Sequence, residues 1–172
     1  MLWAGSQYNR FVTQNEGINS QWAQVENQLQ RRFDLIPNLV ATVKGVSQQE
    51  KDVIAQITSA RTQYAGATSV DGRVAAAGAL ESALGRLLVI NENYPTLQSS
   101  KSYQDLMVSL EGTENRLAVE RMKYNDLIRV YNTNVKRFPS SVLASIFNFD
   151  QHAYFEVNEQ AKANPEVNFN TN

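Results

Sequence analysis

Gln28-Leu29-Gln30-Arg31-Arg32-Phe33-Asp34-Leu35-Ile36-Pro37-Asn38-Leu39-Val40 decides the fold, because a helical stripe runs through it and past a proline. Towards the N-terminus the stripe continues through Leu29, Val25, Trp22 and Ile18 to Phe11; towards the C-terminus it takes in Phe33, Ile36, Val40 and Val43. These steps of three and four, with one position skipped, are those of an amphipathic helix. The register does not reset at Pro37, so the first reading is one helix over about residues 7–44, kinked where Pro37 cannot donate to the Phe33 carbonyl. The competing reading breaks the chain at Asp34 as an N-cap, with Leu35, Ile36 and Pro37 in the next first turn. Gly45 offers a C-terminal stop, and Ser47 with Glu50 three residues on is a capping-box pattern.

Three further helices follow by the same logic. The second, about 48–65, carries Val53, Ile54, Ile57, Ala60, Arg61 and Tyr64 and ends at Gly66-Ala67-Thr68-Ser69. The third, about 71–93, runs through Val74, Ala77, Leu80, Leu84, Leu87, Leu88 and Val89. Its Ala75-Ala76-Ala77-Gly78-Ala79 centre allows close helix approach, and Tyr94-Pro95 breaks it. A polar link at Gln98-Ser99-Ser100 leads to the fourth, about 101–137. That helix is striped by Tyr103, Leu106, Leu110, Leu117, Tyr124, Leu127 with Ile128, Tyr131 and Val135, and closed by Phe138-Pro139.

At 1.5 Å per residue the four helices measure about 57, 27, 35 and 55 Å. The expectation is an all-α, antiparallel four-helix bundle in a single domain over residues 1–172, long in its first and fourth helices. The two short helices complete the bundle at one end, and the apolar Val142–Phe147 segment covers the bare stripes at the other. From Asn148 the tail reads as irregular but attached.

Composition narrows the chemistry. The chain has 172 residues with 42% hydrophobic and 19% charged content, no cysteine, one histidine and a net charge of -1. Lack of cysteine removes disulfides, thiolate nucleophiles and thiolate zinc sites together. The balanced charge argues against a general nucleic-acid footprint. No run approaches the ~20 apolar residues that cross a bilayer. Met1-Leu2-Trp3-Ala4-Gly5 is too brief for a signal peptide; it reads as the stump of a longer apolar segment or as a start introduced for expression.

No phosphate loop, metalloprotease motif or nucleophile elbow is present, and no cofactor is expected. His152 lies outside the helices and is expected as a lone surface residue; Asp150, His152 and Glu156 would approach one another only if the tail were helical. Arg31, Arg32 and Asp34 form a charged knot beside Pro37, read first as an ion pair closing the seam and second as an anion or partner site. Glu114 and Arg121 fall near the apolar stripe of the fourth helix, where such charges usually pair across helices. Tyr124 and Tyr131, each followed by an asparagine (Asn125, Asn132), recur one heptad apart and read as core rings.

These residues together resemble the signature of the LemA family. The likeness begins at Tyr8-Asn9, then Trp22, then Gln28 to Val40, which holds Arg31, Arg32, Asp34, Pro37 and Asn38, with Thr42-Val43-Lys44-Gly45. It continues through Glu114-Asn115-Arg116, Arg121-Met122-Lys123-Tyr124-Asn125, Tyr131-Asn132, Phe138-Pro139-Ser140, Tyr154-Phe155, Pro165 and Phe169. The resemblance implies a bacterial helical bundle preceded by one N-terminal transmembrane helix, with no established catalytic activity and no catalytic or ligand residues to transfer. It favours the stump reading of Leu-Trp-Ala-Gly. The leading expectation is a membrane-tethered interaction or scaffold module with an unknown protein partner, self-association being one option. The rival is a helical sensor that grips a small anion through Arg31, Arg32 or Arg121. A basic, solvent-filled pocket between the first and fourth helices would favour the sensor, and a dry seam with paired charges the scaffold. Arg10 is the only basic residue before Arg31, so the charge rule for membrane flanks puts the bundle on the outer face.

Overall fold

The computed structural model describes residues 2–43 and 51–156, and among them every regular element is helical. The elements are α1 (Leu2–Asp34), α2 (Ile36–Thr42), α3 (Lys51–Gly66), α4 (Val70–Asn91), α5 (Pro95–Gln98), α6 (Lys101–Lys136) and α7 (Ser140–Ile146). The chain is therefore all-α. Lys44, Gly45, the Ser47–Glu50 capping box, Pro165 and Phe169 lie outside the described residues.

The single kinked helix expected over 7–44 is corrected. α1 starts earlier, at Leu2, and stops at Asp34; Leu35 is a turn residue whose N–H reaches back to the Arg32 carbonyl at 3.2 Å. The proline ring crowds the carbonyl four residues back and supplies no N–H for it, so the helix gives way. Pro37 then falls at the second position of α2, where a missing N–H costs nothing. Asp34 is not the cap of α2; it closes α1 and accepts from Gln30 Nε2 at 2.8 Å. The stripe survives the break, with Ile36, Leu39 and Val43 buried where Val40 had been expected.

The chain divides into two compact units, residues 2–35 with 107–155, and residues 36–43 with 51–106. In the second unit α3 and α4 form an antiparallel hairpin. At its turn the Ser69 hydroxyl caps α4 by accepting from Gly72 N–H at 3.1 Å, and Arg73 lies over the Tyr64 ring; at the far end Arg86 reaches Gln56 at 3.0 Å. Ala60, Ala76, Ala77 and Ala83 are all buried, which is how the small-residue centre of α4 allows close packing. Two expectations for α4 are corrected. Leu88 and Val89 are exposed, and α4 is long and apolar enough by composition to cross a bilayer. Much of that apolar character is alanine, and Asp71, Arg73, Glu81 and Arg86 punctuate the helix.

In the first unit α1 and the later part of α6 lie antiparallel, joined by Gln14–Asn134, Gln21–Glu120 and Arg32–Glu114 contacts. Phe11, Ile18, Val25, Leu29 and Phe33 form the α1 side of the core, against Leu110, Leu117, Tyr124, Ile128 and Tyr131 of α6. Leu127 is exposed, so Ile128 carries the stripe past that point. The Val142–Phe147 segment does meet α1, through Ala144 and through Phe147 on Tyr8, but its branched side chains do not supply the cover. Only Ala144 of α7 is buried, while Val142 and Ile146 face outward. α7 ends with Asn148 in the left-handed region at φ 55° and the Phe149 N–H on the Ala144 carbonyl at 2.9 Å, a Schellman-type stop.

Candidate functional site

Two polar constructions occupy the first unit. The first is the charged end of α1. Arg32 is buried at 6% exposure, and its Nη1 meets Glu114 Oε2 from α6 in an ion pair. Its Nε finds no hydrogen-bond acceptor among the described residues. Arg31 and Asp34 are exposed and border an open groove of about 550 Å³ with Leu35, Val108, Gly112 and Arg116. A Cβ added at Gly112 would meet nothing within 4 Å. The structure thus shows a paired-charge seam and, beside it, a groove edged by two arginines and one aspartate.

The second construction was not legible in the sequence. Asn132 Nδ2 donates to the His152 carbonyl at 2.8 Å, and the His152 N–H donates to Asn132 Oδ1 at 3.0 Å. One heptad back, Asn125 Nδ2 donates to the Phe155 carbonyl at 3.0 Å and receives the Phe155 N–H at 2.8 Å. Each asparagine therefore reads a tail residue's backbone through both of its polar groups. The geometry is set by a coincidence of rises: seven helical residues advance about 10.5 Å, and three extended residues about 10 Å. The tail must run nearly extended, opposite in direction to α6, for both brackets to close.

Side chains complete this clamp. Phe155 is buried beside Trp22, with the Arg121 guanidinium 5.6 Å from its ring centre. Arg121, expected to pair with a carboxylate across helices, thus lies over an aromatic face. Tyr124 and Tyr131 are core rings as expected, against Trp22 and Phe11. Burial raises the Tyr131 hydroxyl's pKa, and Asp150 adds to the shift.

His152 is corrected from a lone surface residue. It is half-buried, its Nε2 lies 2.7 Å from Asn15 Oδ1, and its ring sits 4.9 Å from Tyr131. Residues 151–156 are not helical, and no group of His, Asp and Glu among the described residues could hold a metal ion. Desolvation lowers the His152 pKa below its ordinary 6.5, so the fold favours the neutral ring. Because the folded pKa is depressed, the unfolded chain binds the proton first as pH falls. The stabilisation is complete above pH 6.5 and is lost as pH drops from there through the folded value. The urea midpoint should fall as the pH drops below about 6.5, and His152→Gln should flatten that slope. An equal slope in both proteins would exclude His152 as its source.

Of the remaining signature positions, Pro37 and Asn38 are exposed on α2, and the Asn38 carbonyl accepts from Thr42 at 2.8 Å. Asn115 is exposed on α6. Phe138, joined to Pro139 by a cis peptide, is 79% exposed.

Residues 21–169 match the LemA family. The chain belongs to that family. The match spans the Arg31–Asn38 knot, the paired asparagines and the clamped tail together. Among its relatives are the magnetosome proteins MamQ 1 and MamQ 2 of Paramagnetospirillum magneticum, 29% identical over 87% of this chain and 64% of theirs. MamQ of Magnetospirillum gryphiswaldense is 29% identical over 86% of this chain and 64% of its own length. The LemA-family chain thus spans less than two thirds of these curated relatives.

Proposed function

We propose that this LemA-family chain is a membrane-tethered interaction or scaffold module of the bacterial envelope, without catalytic activity. The proposed tether is an N-terminal helix of the kind the family resemblance implies, with the helical domain on the outer face. The four-helix antiparallel arrangement expected from the sequence is part of this reading. The observation that carries it is where the polar side chains go. Arg32, Glu114, Asn125 and Asn132 bind the chain to itself, and no nucleophile paired with a base emerges among the described residues. Relatives named for the magnetosome support a role in organising a cell structure.

Crosslinking and pull-down of the whole protein from its native membrane tests the reading. One reproducible partner, or a homo-oligomer, is the expected result; recovery of the uncrosslinked protein alone counts against it. Protease added to cells with permeabilised outer membranes should digest the domain while a cytoplasmic marker survives. Full protection would reverse the topology.

The groove between Arg31 and Arg116 favours a second reading, a sensor for a small anion. Calorimetric titration with inorganic phosphate addresses it. Saturable binding that disappears in Gly112→Leu, where a side chain enters the open groove, would favour the sensor. No heat of binding would leave the scaffold.

A further inference from the structure

α7 buries little of its apolar surface, with Leu143 only half-buried. Its buried position is the small Ala144, whereas Val142 and Ile146, one turn apart on the opposite face, are 52% and 64% exposed. A helix that only packed on the core would place its larger side chains inward. Phe138 just before it is almost fully exposed, and Phe147 just after it is nearly half exposed. Phe147 meets Tyr8 of α1 edge-on at 5.0 Å, which fixes this apolar group beside the N-terminal part of α1. Trp3, 49% exposed, lies five residues before Tyr8, about 7.5 Å along the helix. Aromatic and branched apolar side chains therefore gather at one end of the first unit.

Cations outnumber acids at that end, which Glu16, Asp126 and Asp150 border. Residues 2–15 contain Arg10 and no acid; residues 127–149 contain Arg129, Lys136 and Arg137 and no acid, although the chain as a whole carries -1. Arg129 is paired with Asp126, and Asp150 is the nearest carboxylate in the following tail. Lys136 and Arg137 are exposed beside Phe138. An apolar face rimmed by cations, with tryptophan and phenylalanine at its edge, suits the headgroup boundary of an anionic bilayer.

We infer that this end of the first unit, with Phe138, Val142 and Ile146 at its tip and Lys136 and Arg137 at its rim, rests in the surface of an anionic lipid bilayer. The inference rests on the membrane reading above and adds a second, peripheral attachment supplied by the folded domain itself. It gives the exposed α7 residues a partner and would hold the domain at a fixed orientation to the membrane.

Vesicle sedimentation of the purified 172-residue chain, which needs no tether, tests it. The chain should pellet with phosphatidylcholine vesicles containing phosphatidylglycerol and stay in solution with phosphatidylcholine alone. Phe138→Ser with Ile146→Ser, both at exposed sites, should weaken binding at least tenfold while the circular dichroism melt is unchanged. Lys136→Glu with Arg137→Glu should weaken it similarly and reduce its salt dependence. No pelleting with anionic vesicles, or double variants that bind like the parent, would overturn the inference. So would loss of self-association in Phe138→Ser/Ile146→Ser with vesicle binding intact, since the face would then serve a second copy. Carbonate extraction of membranes holding the whole protein reports separately on the tether. Retention there with no vesicle binding by the 172-residue chain would leave the tethered reading standing and remove this one. Release by carbonate would instead remove the tether.

Discussion

Glu114→Ala is expected to lower the unfolding free energy by about 3 kcal/mol, measured by urea denaturation at neutral pH. The size follows from what stays behind. Arg32 is 6% exposed, and its Nη1 forms the ion pair with Glu114. Removing the carboxylate leaves a buried cation whose Nε already lacks an acceptor among the described residues. Glu114 itself keeps a 27% exposed side chain, so water entering the new gap limits the loss to the lower part of the range for broken buried pairs. Replacing both partners, Arg32→Met with Glu114→Leu, should recover most of the stability, because the desolvation penalty disappears with the charges. Arg31→Ala, an exposed neighbour on the same turn, should change stability by less than about 0.5 kcal/mol. A Glu114→Ala loss as small as that control would place the pair in solvent.

The contrast between Arg31 and Arg32 also shows what the sequence could and could not reveal. Adjacent arginines on a helix lie about 100° apart, so one joins the buried stripe through Phe33 and Leu29 while the other borders the groove. The periodic stripe from Phe11 to Val43 was legible, and so was the heptad of Tyr124 and Tyr131, because burial at helical spacing leaves a signal in the residue types themselves. The break at Leu35 was legible only as an alternative. An uninterrupted apolar register fits both a kinked helix and two helices in phase, and the proline decides between them through backbone geometry. Leu88 and Val89 misled because exposed leucine and valine look in sequence like core residues. The clamp was not legible at all. An asparagine after each tyrosine signals a polar helix position, but its partner is a main-chain group in a tail of no regular pattern, and a backbone N–H has no residue identity to read.

That clamp sets the second large effect. Asn132→Leu, the same branched shape but bulkier and with no polar group, should cost about 2–3 kcal/mol, because it strips partners from the N–H and carbonyl of His152 where the asparagine is only 7% exposed. Asn125→Leu should cost less, since that side chain is half-buried and water can reach the Phe155 backbone as the bracket opens. The two losses should not add. Both brackets hold one short segment, so once the first is removed the tail gains freedom and the second contributes less. Native-state hydrogen exchange checks the location as well as the size. The His152 and Phe155 amides should exchange faster in either variant, while amides of the α3–α4 hairpin should change only with global stability. Phe155→Ala separates the two ways of holding the tail. It empties a site only 3% exposed beside Trp22 and Arg121 but leaves both asparagines in place. If the brackets govern attachment, the His152 amide stays protected in Phe155→Ala and loses protection in Asn132→Leu. If it is the other way round, the ring is the anchor, and the paired asparagines only satisfy a backbone that the ring has already placed.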